Sequence, residues 1–91
     1  MDLSIIIPLY NEAESLPPLH EWITRVLKAE KRSYEIIFVN DGSTDGSWQV
    51  VLDLQKQDKE HVHGICFRRN YGKSAALYCG FKAAQGDVVI R

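Results

Sequence analysis

Three short polar stretches hold the residues of this chain with chemical capacity: Leu9–Glu14 (LYNEAE), Asp41–Ser47 (DGSTDGS) and Arg68–Lys73 (RRNYGK). Tyr10 offers an aromatic face on which a base can stack, an interaction worth about 1–3 kcal/mol; loop packing is its other reading. Glu12 suits hydrogen bonds from ribose hydroxyls or a base N–H, and equally suits a first-turn acid favoured by a helix dipole. Asp41 suits a base imide or amide N–H, or else an Asx turn ahead of Gly42. Arg68, Arg69 and Lys73 put three cations in six residues just before a helix N-terminus. Positive charge beside oriented backbone N–H groups is what a diphosphate requires, although such clusters also occur as solvated faces. Asp45 reads as a helix cap. Together these groups suit one nucleotide.

Better-known phosphate and metal signatures fail at specific positions. Gly72-Lys73-Ser74 imitates the end of a P-loop, but Phe67 stands where the first glycine is needed, so the backbone has no room to wrap a phosphate. Asp41–Gly46 imitates the start of an EF-hand loop, but its twelfth position is Leu52 and a strand precedes it. Pro8–Glu12 replaces the G-x-G-x-x-G of a dinucleotide site. Cys66 and Cys79 lack metal or redox spacing and read as reduced, small apolar packing groups. His20, His61 and His63 are dispersed and read as surface residues, while Trp22 and Trp48 read as cover for a sheet.

The elements that position these loops alternate in type. Leu3–Pro8, Tyr34–Asn40, Val62–Phe67 and Val88–Ile90 are short β-branched apolar runs that suit strands buried on both faces of a parallel sheet. Leu16, Leu19, Ile23, Val26 and Leu27 recur at helical spacing. Pro17 and Pro18 fit only a first turn, which starts that helix near Ser15 or Leu16. Trp48, Val51, Leu52 and Gln55 mark a second helix capped by Asp45 or Ser47. The third runs from Lys73 to Gln85 with small residues on one face, and Gly86 is placed to stop it as a C′ glycine. Strand starts fall roughly 25–30 residues apart, the period of βαβ units. Right-handed crossovers bring the C-terminal ends of all strands, and with them the three polar stretches, to one edge of the sheet.

Ninety-one residues allow one domain or part of one. Eleven Lys and Arg against twelve Asp and Glu give a net charge of −1, which argues against a nucleic-acid grip or a basic membrane-surface patch made of massed positive charge. No apolar run approaches the ~20 residues of a membrane span.

SIIIPLYNEAESL, EIIFVNDGSTDGSW and FRRNYGKSAALYCGFKAAQGDVVIR, in that order and at those intervals, resemble the start of a family 2 glycosyltransferase of the GT-A fold. The last stretch is most similar to the branch that glycosylates polyprenyl phosphates such as dolichol or undecaprenyl phosphate. The resemblance covers nearly all of the chain. It implies a three-layer α/β/α architecture, the truncated nucleotide-binding half of a Rossmann-like domain, with parallel strands in the order 3-2-1-4. It also implies that Pro8, Tyr10, Asn11, Glu12, Val39, Asp41 and Lys73 surround the nucleoside and diphosphate of a UDP- or GDP-sugar donor. In that reading Tyr10 flanks the base, Glu12 and Asp41 accept from base and ribose, and Asn11 and the Val39 backbone lie close by. Lys73, with Arg69 as a second candidate, faces the diphosphate.

In the family a divalent cation (Mg²⁺ or Mn²⁺) is held by an aspartate motif after the fourth strand, beyond Arg91. The catalytic base and acceptor-binding half lie further on. The resemblance therefore implies an incomplete catalytic domain over residues 1–91, with no catalytic residue and no metal of its own, inactive alone and weak in nucleotide affinity. A cytoplasmic location is expected, with a membrane or lipid acceptor reached only through the missing part. An exposed strand-four edge at Val88–Ile90 predicts a homo-oligomer. Two rival readings are a non-catalytic nucleotide-binding α/β module and a nucleotidyltransferase. The latter usually carries a glycine-rich basic loop after strand one, and Pro8–Glu14 has neither glycine nor lysine.

Overall fold

A computed structural model describes residues 1–90. Four strands, β1 (Leu3–Leu9), β2 (Tyr34–Asn40), β3 (Val62–Cys66) and β4 (Asp87–Ile90), alternate with helices α1 (Leu16–Glu30), α2 (Ser47–Gln57) and α3 (Lys73–Ala83). All strand pairs are parallel, and the order is β3-β2-β1-β4, as the resemblance implies. Two successive crossovers step from β1 to β2 to β3, and the third returns over the sheet to β4. That reversal puts α1 and α2 on one face and α3 on the other.

The alternation of the central strands divides the core. Ile5, Ile7, Leu9, Ile36 and Phe38 face α1 and α2 and meet Leu16, Ile23, Leu27, Val51 and Leu54. Ile6, Ile37 and Val39 face α3 and meet Ala76. Gly80 brings α3 close to the sheet: a Cβ there would lie 2.5 Å from the Ile6 Cγ2. Burial on both faces holds for β2, where all seven residues are buried, and for most of β1. The flanking strands differ. β3 is partly exposed and every residue of β4 is exposed, because each has a single neighbour among the described residues.

Several ends and placements depart from sequence expectation. Pro17 and Pro18 do occupy the first turn of α1. α3 stops at Ala83 rather than Gln85, and Ala84 is extended. Gly86 is not a left-handed cap; it is needed for space, since a Cβ there would lie 2.9 Å from the Met1 carbonyl oxygen. A buried polar relay holds this turn against the sheet. The Gln85 N–H donates to the Glu35 carboxylate at 2.8 Å, the Ser4 hydroxyl donates to the same oxygen at 2.6 Å, and the Gly86 N–H donates to Ser4 at 2.8 Å. Trp48 covers the core as expected, but Trp22 lies on the outer side of α1 and is 44% exposed. Cys66 is exposed at the end of β3, where its sulfur receives the Asn40 amide at 3.4 Å, rather than packed among apolar groups.

The histidines are not all dispersed. His20 Nε2 and His61 Nδ1 converge on the two oxygens of Asp58, at 3.1 and 2.7 Å, and tie α1 to the end of α2 and the start of β3. Burial would raise the Asp58 carboxyl, but the hydrogen bonds and charge of His61 and His20 outweigh it and hold the group below its usual range.

Candidate functional site

The three polar loops all leave the C-terminal edge of the sheet, and a network of side chain to backbone bonds sets their mutual geometry. Asn11 adopts a left-handed backbone (φ 52°) that turns the chain out of β1. Its N–H donates to the Ser43 hydroxyl at 2.9 Å, and its Oδ1 accepts the N–H groups of Thr44 and Asp45 at 2.8 and 3.2 Å. The Glu12 N–H donates to the Ser47 hydroxyl at 3.0 Å. Asp45 accepts the Ser47 hydroxyl at 2.5 Å and the Ser47 N–H at 2.9 Å, so it caps α2 from just outside Gly46, and these bonds, the hydroxyl's above all, hold its carboxyl low. Loops one and two are thereby locked into one unit.

Loop three docks on that unit through Asp41 and Gly42. Asp41, only 5% exposed, accepts the Tyr71 N–H on Oδ1 at 2.8 Å and the Gly72 N–H on Oδ2 at 3.1 Å. It is not the local Asx turn that the sequence left open. Gly42 has φ 72°, and a Cβ there would fall 2.2 Å from the Arg69 carbonyl carbon, so only glycine lets the loops touch. Lys73, the first residue of α3, follows directly from this clamp.

A cavity of about 390 Å³ opens beside the end of β1, lined by Ile7, Pro8, Leu9, Tyr10, Glu12, Leu19, Asp41 and Lys73. It lies at the strand where the chain order reverses, the usual ligand position in open α/β sheets. Pro8, Tyr10, Glu12, Asp41 and Lys73 are thus brought together as the sequence predicts. Tyr10 is 44% exposed, leaving its ring accessible. Asn11 and Val39 are not among the lining groups. The Asn11 amide oxygen is engaged by loop two, and Val39 is fully buried toward α3, though its backbone lies in register with Pro8. Arg69 stacks its guanidinium over the Tyr71 ring, 4.8 Å from the centroid.

Sequence reasoning missed the apolar floor made by Ile7, Leu9 and Leu19. Leu19 sits at a core position of α1 by periodicity, and only the cross-element geometry shows that it also faces the cavity. A larger groove of about 650 Å³ runs between α1 and α2, but none of the three loops reaches it. Among the described residues no group of three or more His, Cys, Asp or Glu side chains is placed to hold a metal ion.

The fold and the sequence both have counterparts among known proteins. A mannosyltransferase from Pyrobaculum calidifontis, solved in complex with GDP-Man and Mn²⁺, superimposes with a TM-score of 0.70 at 25% identity, over 94% of this chain and 25% of its own. An undecaprenyl-phosphate 4-deoxy-4-formamido-L-arabinose transferase from Pseudomonas fluorescens is 47% identical over 88 residues, 97% of this chain. Its counterpart in Photorhabdus laumondii is 40% identical over the same length. The chain spans about a quarter of these relatives, 26% and 27%. The model of one family, described as glycosyl transferase family 2, matches residues 4–91. On that match, which takes in every strand and all three loops, the chain belongs to glycosyl transferase family 2.

Proposed function

We propose that these residues form the donor-binding part of a longer glycosyltransferase, which moves a sugar from a UDP- or GDP-sugar to a polyprenyl phosphate. The observation that carries the reading is the convergence of Tyr10, Glu12, Asp41 and Lys73 on one cavity at the reversal point of the sheet. The relatives named for undecaprenyl phosphate support the acceptor class, and the GDP-Man complex supports the donor class.

Each group has a definite task in this reading. The base stacks on Tyr10 above the apolar floor of Ile7 and Leu9. Glu12 accepts from ribose hydroxyls, and its backbone bond to Ser47 fixes where the carboxylate starts. Asp41 has two lone pairs on each oxygen and keeps acceptor capacity for a base N–H after serving Tyr71 and Gly72. Lys73 meets the diphosphate at the start of α3, where the free N–H groups of the first turn add to its charge. In the longer enzyme a divalent cation would neutralise the departing diphosphate.

Calorimetric titration of UDP and GDP, with Mn²⁺, tests this. Binding of one of them, weakened about tenfold or more by Tyr10→Ala and by Glu12→Gln, is the expected result. Unchanged affinity in both variants would refute the assignment.

A further inference from the structure

Three consecutive backbone N–H groups of the first loop are taken up by three side chains of the second. The Asn11 N–H donates to the Ser43 hydroxyl at 2.9 Å, the Glu12 N–H to the Ser47 hydroxyl at 3.0 Å, and the Ala13 N–H to Asp45 Oδ2 at a long 3.5 Å. Ser47 stands at the centre of this row. It is fully buried at the start of α2, and its hydroxyl donates to Asp45 Oδ1 while accepting from Glu12. The Glu12 carbonyl in turn accepts the Ser15 N–H at 3.0 Å, so both polar groups of the Glu12 main chain are engaged. Its side chain is not. Among the described residues the Glu12 carboxylate has no hydrogen-bond or ion-pair partner, and it lines the cavity from an exposed position.

From this we infer that Ser47 is a positioning residue that makes the cavity selective for a ribose over a deoxyribose, acting through Glu12; this rests on the donor-binding reading above. A carboxylate on a long side chain loses part of its hydrogen-bond energy to the ordering of that chain. The loss is smallest when the main chain already starts the side chain at the right distance and angle from the hydroxyls it must meet. Ser47 supplies that start for Glu12 and has no direct route to a ligand, being buried and absent from the cavity lining. Asp45 completes the device from outside the cavity. Its carboxylate only accepts, so it draws the Ser47 proton to itself and turns a lone pair toward the Glu12 N–H.

Calorimetric titration of the chain, with Mn²⁺, against UDP, GDP and the 2′,3′-dideoxy counterpart of each tests it. The parent should favour the ribonucleotide by about tenfold or more. Ser47→Ala should bring that ratio down to about one with affinity for the dideoxy compound unchanged, a pattern that general loosening of the site does not produce. Ser47→Thr keeps the hydroxyl and should restore the parent ratio. Asp45→Ala, at an exposed position, should lower the ratio in the same direction, and it decides the question if circular dichroism shows that Ser47→Ala does not fold. An unchanged ratio in the alanine variants, or equal losses for the two sugars, would overturn the inference and leave the donor site standing. So would a parent that binds ribonucleotide and dideoxynucleotide equally. A parent that binds neither UDP nor GDP would overturn the donor-site reading and, with it, the role given to Ser47.

Discussion

The carboxylate of Asp41, at the end of β2, accepts the backbone N–H of Gly72 at 3.1 Å, one residue before the lysine that begins α3. With the companion bond from Tyr71, this residue holds the cationic loop in place as well as lining the cavity. Asp41→Asn keeps the shape but turns an NH₂ toward one of the two backbone donors. Loss of about 1–3 kcal/mol of stability is expected, read as a lower urea midpoint at unchanged slope. The same variant should weaken nucleotide binding through a displaced Lys73, even for a ligand that makes no contact with the base pocket.

Gly80 supplies a test of the α3 contact whose sign is diagnostic. In an exposed helix Gly→Ala is stabilising by about 1 kcal/mol. Here the added methyl would meet Ile6 at 2.5 Å, so Gly80→Ala should destabilise by about 1–3 kcal/mol in a urea titration. A stabilised variant would mean that α3 stands further from the sheet.

Acid stability should report the Asp58 cluster. The carboxyl is held low by His61 and His20 in the folded chain, so its contribution is present above the unfolded carboxylate pKa of about 4 and is lost as pH falls from there through the folded value. The Asp58→Asn variant should be less stable than the parent at pH 6, with the gap closing toward pH 2. A gap that stays constant across that range would show that the carboxylate charge is not what links α1 to β3.

The β4 edge predicts association. Val88, Val89 and Ile90 are 38%, 45% and 48% exposed along a strand with a free hydrogen-bonding side among the described residues. Sedimentation velocity should show a dimer that grows with concentration, suppressed by Val89→Lys. A monomer at every concentration would remove this expectation.

The helix faces and the placement of all three loops at one edge were legible because they follow from hydrophobic periodicity and the handedness of crossovers, whereas the strand order came from the family resemblance. Tyr10, Glu12 and Asp41 were legible for the same reason: each stands just beyond a strand end. What escaped were relationships between residues some thirty or more positions apart. The resemblance implies Asn11 as a neighbour of the nucleoside, yet its amide oxygen is taken up by the N–H groups of Thr44 and Asp45. The two histidines on Asp58 come from α1 and from the turn before β3, and no spacing rule connects them. Gly86 has the right place for a helix stop, but the packing of Met1 and Leu3 against it decides its role. Trp22 is a local exception: the inner stripe of Leu16, Ile23 and Leu27, readable from helical spacing, already fills the sheet face and leaves it on the outer side of α1.

The most direct test of the nucleotide site is a ¹H–¹⁵N titration of the labelled chain with UDP and with GDP. Shifts concentrated on the amides of Tyr10, Glu12, Asp41 and the Tyr71–Lys73 turn are predicted, because the ligand sits against those groups and perturbs the Asp41 clamp. Shifts centred on the groove between α1 and α2, or none at saturating nucleotide, would contradict the assignment.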